Sequence, residues 1–351
     1  MFPQWQWQIL SLPPRHFSWR VRGNPLFWSI AERATLEQNY DALLATSMVD
    51  LATLRGLVPK LSQIPSILYF HENQFDYPQQ SKGHGLLEAQ MVSLYSAMAA
   101  DVLAFNSAYN RTGFLQGCSA LLSKFPDKVP AGLVATLEQK SRVLPVPLRA
   151  KSDTSVARWP GAQGDVSQRP PRLLWVGRFE HDKGGEGLYH LLQVLRSEGQ
   201  VFELAIIGQQ FRNSPSVFSA MRREFESEIV AFGFVEDEAD YEAILAGADI
   251  VIATAMHEFQ GLAVLQAVRS GCLPVVPDRL AYSEIYPRPN RYVSDLHNPE
   301  IEAASAASLV QKKIQCLHEG EAKTFDVSAF ECSALEPGYR RLFACALDAA
   351  G

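Results

Sequence analysis

Glu258 stands where an apolar strand, predicted over residues 249–253, leads into a helix. The helix is expected to begin near Phe259, because apolar residues recur at helical spacing at Leu262, Leu265 and Val268. A helix N-terminus offers unpaired N–H groups and partial positive charge, which suit a diphosphate. A carboxylate just before that terminus can bind sugar hydroxyls. This stretch therefore predicts a site for a diphosphate and a sugar.

Two cations, Arg178 and Lys183, follow the strand predicted over residues 172–176. Ligands bind at the carboxyl ends of strands in folds of this kind, and two fixed cations there can neutralise a departing diphosphate. A solvated, charged loop is the alternative, and the favoured one if the loop is considered alone. Glu258, about 75 residues further on, shifts the interpretation to a phosphate site. The dinucleotide pattern G-x-G-x-x-G is absent here.

Gly208 follows the next predicted strand, residues 202–207, and precedes two glutamines. Contact of its backbone and the neighbouring amides with a nucleotide base is one interpretation. An ordinary turn is the other, and the pattern does not favour either.

A third polar run follows the strand predicted over residues 66–70, where His71, Glu72 and Asn73 come directly after apolar residues. This arrangement suits the rim of a cleft better than a core. With Asp76, the run includes candidates for acid/base work or for binding sugar hydroxyls. A hydrogen-bonded loop that stabilises the fold is the alternative. A metal site is less favoured, because nothing nearby supplies a compelling third ligand.

Two other segments carry weaker signals. Asn106, a candidate ligand contact, and Ser107 lie where a strand ends and a helix starts, and a structural N-cap is the favoured role for Ser107. A basic cluster with aromatic neighbours comprises Arg15, His16, Phe17, Trp19, Arg20 and Arg22. Arginines beside aromatic rings suit RNA, but surface charge with core aromatics is the favoured interpretation.

Composition limits the classes of function. The chain has 351 residues, 47% of them hydrophobic, and a net charge of −6, which argues against a generally basic nucleic-acid coat but not against a local basic groove. No apolar run is long enough for a membrane helix, and no signal peptide is recognisable. The five cysteines show no C-x-x-C spacing, so we expect free thiols. A cytoplasmic protein with no evident protein partner is expected.

Short β-rich segments alternate with amphipathic helical segments, which indicates parallel sheets covered by helices. Strands are predicted over residues 40–46, 66–70, 101–105, 142–146, 172–176, 202–207, 249–253 and 273–276. Helices are predicted over residues 86–99, 107–122, 187–198, 217–226, 240–246 and 259–270.

We expect two doubly wound α/β domains that face each other across a cleft. The N-terminal, acceptor-side domain is predicted over residues 1–150, and the C-terminal, nucleotide-sugar-binding domain over residues 172–330. Residues 151–171 are rich in Ser, Gly, Gln and Pro and are expected to form a linker or mobile loop. The tail, 331–351, is expected to form a helix that crosses back to the first domain.

These motifs together resemble a known family. The Arg178/Lys183 pair with Glu258, Gly261 and the turn 271–274 resembles retaining glycosyltransferases of the GT-B fold, family-4 type. The ordered segments 19–22, 70–74, 178–183, 257–259 and 282–287 resemble, more specifically, the tRNA-queuosine α-mannosyltransferase family. This similarity runs from about Leu12 to Leu342.

The resemblance implies transfer of mannose from GDP-mannose to the cyclopentenediol of queuosine in a tRNA anticodon, with retention and without an obligatory metal or cofactor. It assigns the diphosphate to Arg178 and Lys183 and the donor sugar to Glu258. It also assigns backbone donors to Phe259, Gly261 and Leu262, the ribose to residue 266, and a position near the reacting sugar and acceptor to His71.

Two departures from the family pattern stand out. Gln266 replaces an expected glutamate, and the loss of one charge-assisted hydrogen bond costs on the order of 1–2 kcal/mol of donor binding. Met1 falls where the second element of the family should start, so we expect the first domain to lack its N-terminal strand. A start codon assigned too late is the favoured explanation, and an impaired protein is the other.

Two alternatives to this function remain. One is a GT-B glycosyltransferase with a lipid, glycan or small-molecule acceptor, which the acidic net charge favours. The other is a non-catalytic relic that binds tRNA or sugar nucleotides, which Gln266 and the missing strand suggest.

Overall fold

The computed structural model describes residues 1–13, 16–76, 85–149, 157–165 and 168–349. The chain divides into two compact units, of which unit 1 is Met1–Val146 with Cys332–Gly351, and unit 2 is Pro147–Glu331. Arg15 and two parts of the predicted linker, 151–156 and 166–167, lie outside the described residues.

Unit 1 contains a four-stranded parallel sheet in the order β1-β2-β3-β4. Its elements are α1 (Phe17–Ala31), α2 (Arg33–Leu36), β1 (Leu43–Thr46), α3 (Leu51–Leu57), β2 (Ser66–Phe70), α4 (Leu86–Ala99), β3 (Val102–Phe105), α5 (Ala108–Leu122), α6 (Leu133–Gln139) and β4 (Ser141–Val143). The unit ends with a helix that follows unit 2 in the chain, Cys332–Ala349.

The strands β2 and β3 are buried along their whole length, because helices cover both faces of the sheet. Leu68 and Phe70 point to one face, where they pack with Phe114 of α5. Ile67 and Tyr69 point to the other face, where the C-terminal helix packs against them. The period of two in the strand therefore decides which helix each side chain contacts.

Unit 2 contains a six-stranded sheet in the order β10-β9-β8-β5-β6-β7, with parallel pairing throughout. Its elements are β5 (Arg172–Val176), α7 (Gly185–Ser197), β6 (Glu203–Ile207), α8 (Ser216–Glu224), β7 (Ile229–Gly233), α9 (Glu238–Gly247), β8 (Ile250–Ile252), α10 (Leu262–Arg269), β9 (Leu273–Pro277), α11 (Tyr282–Ile285), β10 (Arg291–Tyr292) and α12 (Pro299–His318). The C-terminal helix of unit 1 is α13. The predicted parallel α/β sheets are confirmed.

Several elements depart from the sequence prediction. The predicted list lacked α1, β7, β10 and α12. Pro25 interrupts the helical pattern of α1. The edge strand β7 is half-buried, but its first four residues, 229–232, are apolar and could have marked it as a strand. Helix α10 begins at Leu262 rather than near Phe259. Trp159, within the stretch predicted as a linker or mobile loop, is 2% exposed and donates to Glu203 at 2.6 Å, so this residue packs on unit 2.

Other features bear on chemistry outside the predicted site. All five cysteines are free, and burial raises the pKa of Cys118 to about 12. Among the residues that the structure describes, no three His, Cys, Asp or Glu side chains cluster as a metal site would require. In the same residues, none of the helices combines the length and the apolar character that crossing a bilayer demands.

Candidate functional site

Neighbouring strands of unit 2 bring the loops of Lys183 and Glu258 together. β5 pairs in parallel with β8, so the loops that follow both strands leave the same edge of the sheet. The first loop runs through a short 3₁₀ turn, His181–Lys183, into α7, and the second runs through Glu258 to the N-cap of α10. Residues 75 positions apart in sequence thus form one site.

Lys183 lies between two carboxylates. Its Nζ is 3.3 Å from Oε2 of Glu258 and 3.2 Å from Oδ2 of Asp182, and it donates to the carbonyl oxygen of His257 at 3.0 Å. Burial by itself would lower the pKa of Lys183, but the two carboxylates outweigh burial and raise that pKa. Lys183 is therefore a fixed, fully charged cation.

The carboxylate of Glu258 also contacts the backbone that follows it. Its Oε1 accepts from the N–H of Phe259 at 3.1 Å and, more weakly, from that of Gln260 at 3.5 Å. Burial by itself would raise the pKa of Glu258, but Lys183 and the backbone N–H groups of Gly261 and Gln260 lower it. Glu258 is therefore ionised and is surrounded by donors.

Gly261 closes this loop and caps α10. Its φ is 72°, a left-handed conformation that favours glycine, and a Cβ there would lie 2.8 Å from Cε1 of Tyr282. The helix starts three residues later than predicted because the preceding N–H groups turn toward Glu258. Leu262, the first residue of the helix, stays 36% exposed.

A second glycine allows the two loops to pack closely against each other. Gly184 has a φ of 72°, and a Cβ there would lie 2.0 Å from the carbonyl oxygen of Thr254. The Thr254 hydroxyl donates to the carbonyl oxygen of Lys183 and accepts from the Trp175 indole, each at 3.1 Å. The position of Lys183 is therefore set by the buried core beneath it.

Arg279 supports the same loop from behind. It donates to the carbonyl oxygens of Thr254 at 3.0 Å and Ala255 at 2.9 Å. Its Nη1 is 2.7 Å from Oε2 of Glu302, and both side chains are at most a tenth exposed. A buried ion pair thus anchors the loop that carries Glu258. Nothing in the sequence pattern indicated this pair.

Arg178 differs from Lys183 in being 52% exposed; its Nη2 is 3.1 Å from Oε2 of Glu180. The guanidinium can therefore swing toward a ligand. Gly208 has a packing reason to be glycine, because a Cβ there would lie 1.9 Å from the carbonyl oxygen of Gly177. This explains a tight turn after β6, while contact with a base stays a prediction.

His257 is a buried, neutral side chain. It is 4% exposed, and its ring lies 4.7 Å from that of Phe259. Burial, with the charge of Lys183 adding to it, lowers the pKa of His257 to about 4. Its backbone N–H and that of Met256 donate to the carbonyl oxygen of Asp182, so it fixes the loop.

Gln266 lines a cavity of about 490 Å³ beside α9 and α10. Its Oε1 accepts from the hydroxyl of Tyr241 at 3.3 Å. Three acidic residues line the same cavity, Glu236, Glu238 and Glu242, together with two basic ones, Arg149 and Arg269. Nη1 of Arg149 is 3.0 Å from Oε1 of Glu238, so two of the three carboxylates have no cation beside them in the described residues. Oε2 of Glu242 is buried without a hydrogen-bond partner in the described residues. No sequence pattern predicted this acidic cavity.

In unit 1, Asn73 organises the loop after β2. It is fully buried, and its Nδ2 donates to Oδ2 of Asp76 at 2.8 Å and Oδ1 of Asn110 at 2.9 Å. Its Oδ1 accepts from the N–H groups of Phe75 and Asp76. The loop thus uses the polar side-chain atoms of Asn73, and a substrate contact of this residue stays a prediction.

Asn106 likewise belongs to this buried network. Its Nδ2 donates to the carbonyl oxygen of His71 at 2.9 Å, and its Oδ1 accepts from Nδ2 of Asn110 at 2.8 Å. Asn106 therefore positions His71, and its contact with a ligand stays a prediction. The hydroxyl of Ser107 accepts from the N–H of Asn110 at 3.0 Å, the N-cap role favoured from sequence.

The start of this loop carries His71 and Glu72. His71 is exposed, with its ring 4.7 Å from that of Tyr69, and desolvation of the ring lowers its pKa, so the imidazole is neutral at pH 7. Glu72 is half-buried, and its carbonyl oxygen accepts from the hydroxyl of Ser47 at 3.0 Å. Burial raises the pKa of Asp76, whose carboxyl packs against Gly113 of α5.

Sequence reasoning missed several residues of these loops. Asp182 stands inside the charged run 178–183, so it could have been assigned as the second carboxylate on Lys183. Asn110 and Tyr241 lie on helices distant in sequence from their partners, and no local pattern marks them.

Two family models match the chain in succession. The model described as tRNA-queuosine alpha-mannosyltransferase N-terminal matches residues 1–148, and the one described as glycosyl transferases group 1 matches residues 162–317. A Drosophila melanogaster protein named tRNA-queuosine alpha-mannosyltransferase is 34% identical over 288 residues, which is 81% of this chain and 75% of that protein.

Solved structures share the fold at low identity. A mutant of S. aureus TarM, in complex with Fondaparinux, alpha-GlcNAc-glycerol and UDP, matches with a TM-score of 0.59 and 12% identity over 90% of this chain, which spans 58% of the TarM chain. Anabaena HepE, in complex with UDP and glucose, matches with a TM-score of 0.61 and 14% identity over 92% of this chain and 82% of HepE. The predicted GT-B fold is confirmed.

Proposed function

Because this chain belongs to the tRNA-queuosine alpha-mannosyltransferase family of glycosyltransferases, we propose that it transfers mannose from GDP-mannose to the cyclopentenediol of queuosine in a tRNA anticodon. The observation that carries this proposal is the Lys183–Glu258 pair at the carboxyl ends of adjacent strands. The proposal includes a cytoplasmic location, since mature tRNA serves translation.

The cations bind the donor diphosphate in this proposal. Lys183 is fixed by two carboxylates, so it needs no rearrangement to meet a phosphate. Arg178 is exposed and paired only at the surface with Glu180, so it can close over the diphosphate after binding. One fixed and one mobile cation stabilise the negative charge that develops on departing GDP.

Glu258 binds the mannose hydroxyls. Without donor, its carboxylate accepts from backbone N–H groups that follow it and contacts Lys183. In the proposed complex, the backbone N–H groups of Phe259, Gly261 and Leu262 bind phosphate and the carboxylate binds sugar, while Lys183 stays in position. The lowered pKa of Glu258 keeps it an acceptor across the neutral range.

The acidic cavity supports guanine as the base of the donor. Guanine offers an N1–H and an N2 amino group, and a carboxylate accepts from such a pair of donors. Glu236, Glu238 and Glu242 line the cavity, and the buried oxygen of Glu242 has no partner among the described residues. Gln266, in the same lining, is assigned to the ribose hydroxyls.

The reaction breaks the bond from the anomeric carbon of mannose to the diphosphate oxygen and forms a bond from that carbon to a queuosine hydroxyl oxygen. The hydroxyl proton leaves with GDP, and the anomeric configuration is retained. His71, neutral at pH 7, is assigned to orient the transferring sugar or the acceptor hydroxyl. No metal is required in this proposal, because the two cations carry the charge of the leaving group.

A donor and acceptor panel tests the proposal. Purified protein is incubated with GDP-mannose, UDP-glucose or UDP-galactose and with two matched tRNAs, one with queuosine and one with guanosine at that position. We expect a mass increase of one hexose only with GDP-mannose and queuosine tRNA. Turnover of GDP-mannose that tRNA does not stimulate would contradict the proposal and point to another acceptor.

A further inference from the structure

Unit 1 contains a cavity of about 380 Å³ that the proposed transfer reaction does not use. We call it the α1 cavity, because its described lining comes from the start of α1 and the residues before it. The lining includes the rings of His16, Trp19 and Phe27, the guanidinium of Arg20 and the backbone of Gly23, with residues 12 and 13 beside them. None of these lining residues is acidic.

Aromatic rings in this cavity face water. Trp19 is 63% exposed and Phe27 is 51% exposed, although the sequence analysis favoured core aromatics here. Exposed apolar side chains that line one cavity mark a candidate binding surface. The favoured interpretation of this cluster is therefore wrong for Trp19.

Gly23 holds the indole of Trp19 in place. A Cβ at Gly23 would lie 2.7 Å from Cε2 and 2.9 Å from Nε1 of that indole. The absence of a side chain lets the ring lie against the helix backbone. Part of the ring thus lies against the helix backbone while most of the side chain stays exposed to a ligand.

The charges of the cavity are not neutralised by the protein. Neither Arg20 nor His16 has an ion-pair partner among the described residues. Arg22, on the same helix, shows the contrast, because it pairs with Asp50 at 2.6 Å and Glu88 at 3.1 Å. Arg20 is therefore available for an anionic ligand.

We propose that the α1 cavity binds single-stranded RNA, with an unpaired base stacked on Trp19 and Phe27 and a phosphate held by Arg20. This inference rests on the proposed function, which supplies an anticodon loop as the RNA. A second protein copy could instead cover the apolar residues further along α1, Leu26 and Ile30. The unpaired cation and the two rings favour RNA over that occupant.

Binding of a fluorescent anticodon stem-loop, followed by anisotropy, tests the site. The double variant Trp19→Ala/Arg20→Gln is expected to bind at least about 10-fold more weakly, because stacking on one aromatic ring contributes 1–3 kcal/mol per base. The slope of log affinity against log salt concentration is expected to fall in magnitude by about one, because one phosphate contact is lost. Gly23→Ala, which displaces the ring without removing it, is expected to weaken binding as well.

Ile30→Ala is the matched control, since Ile30 is 75% exposed on the same helix but outside the cavity. It is expected to bind RNA as the wild type does. Wild-type RNA affinity in a folded double variant would overturn the proposal. The proposal would also be overturned if the wild type sediments as a dimer, the Ile30→Ala variant sediments as a monomer, and the double variant binds RNA as the wild type does.

The readouts separate this inference from the proposed function. The stem-loop is used with and without queuosine. We expect the cavity to bind both, because base stacking on its rings does not depend on the modification. Binding of GDP-mannose, measured by calorimetry, is expected to be the same in the double variant and the wild type. RNA binding at the cavity without any mannose transfer would overturn the proposed function but support the cavity.

Discussion

At the scale of single residues, the site depends on how Lys183 and Glu258 compensate each other. Each is partly buried, at 14% and 25% side-chain exposure, and each shifts the pKa of the other toward the charged form. Asp182 stabilises the charge of Lys183 as well. In the proposed complex, the diphosphate therefore meets a cation that is already in position, and the sugar meets a carboxylate.

Removal of the fixed cation should abolish most of the activity. Lys183→Met leaves Asp182 and Glu258 facing each other and removes the charge opposite the diphosphate. We expect the rate of GDP release in the presence of queuosine tRNA to fall about 10²–10³-fold. Lys323→Met, at an exposed lysine of the same unit, is the control. A loss of less than threefold for Lys183→Met would contradict the assignment.

A second prediction concerns Gln266, whose neutral amide lines the acidic cavity. Gln266→Glu should tighten donor binding by about 5- to 10-fold, because a carboxylate binds ribose hydroxyls more strongly than an amide does. Tyr241 can keep its hydrogen bond, since burial raises the pKa of its phenol to about 12 and it remains a donor. Calorimetry with GDP checks this, and Gln116→Glu controls for net charge. Unchanged or weaker affinity would show that residue 266 does not face the ribose.

The residues at strand ends could be predicted from sequence, because an apolar strand followed by charged residues is a local pattern. This was enough to find Lys183, Glu258 and His71. The roles of Asn73 and Asn106 could not be predicted, since both depend on Asn110, which joins them only in the folded chain. The acidic cavity could not be predicted for the same reason, because α9 and α10 lie side by side only in the folded chain.

At the scale of elements, the close approach of two loops depends on Gly184. Gly184→Ala should destabilise the protein by at least about 2 kcal/mol more than Gly199→Ala. Both glycines have left-handed backbone, with φ of 72° and 75°, but only at Gly184 would a Cβ meet another atom, the carbonyl oxygen of Thr254. Urea denaturation of both variants measures the difference. Equal losses of stability would contradict the close packing of the loops.

The loop before α10 should also make stability depend on pH. The pKa of His257 is lowered to about 4, so as the pH falls below 6.5 the unfolded chain takes up the proton before the folded chain does. Between neutral pH and about pH 5, His257 should therefore reduce the free energy of unfolding by about 2 kcal/mol.

Substitution of this histidine tests that sign. His257→Gln should lose less stability on acidification than the wild type, whereas His318→Gln, at an exposed position on α12, should follow the wild type. Chemical denaturation at both pH values provides the measurement. A wild-type pH slope in the His257→Gln variant would show that the ring is not buried as a neutral group.

Elements rich in apolar residues could be predicted, and the range predicted for α4, 86–99, is the range in which the helix is found. The ends of the elements near the site were harder to predict from the sequence. The start of α10 moved because Glu258 takes backbone N–H groups that a helix would otherwise order. β7 and β10 lie at the edges of the sheet. β10 has only two residues, Arg291–Tyr292, and leaves no apolar pattern, whereas β7 has an apolar run at 229–232 that the prediction overlooked.

At the scale of the whole molecule, each unit carries a loop cluster at its strand ends. Unit 2 supplies a cation pair, a carboxylate and an acidic cavity, which suit a nucleotide-sugar. Unit 1 supplies an exposed histidine and the α1 cavity, which suit an acceptor that carries phosphates. The net charge of −6 is compatible with RNA, because the lining described for the α1 cavity places no acidic residue beside Arg20.

The most direct measurement follows isotope from GDP-mannose into the nucleosides of queuosine tRNA. With wild-type protein and ¹³C-labelled GDP-mannose, mass spectrometry of the digested tRNA should show labelled mannose on queuosine and on no other nucleoside. Glu258→Ala should remove that label, although the tRNA still binds. Unlabelled queuosine after incubation with the wild-type protein, or equal labelling by Glu258→Ala, would contradict the account.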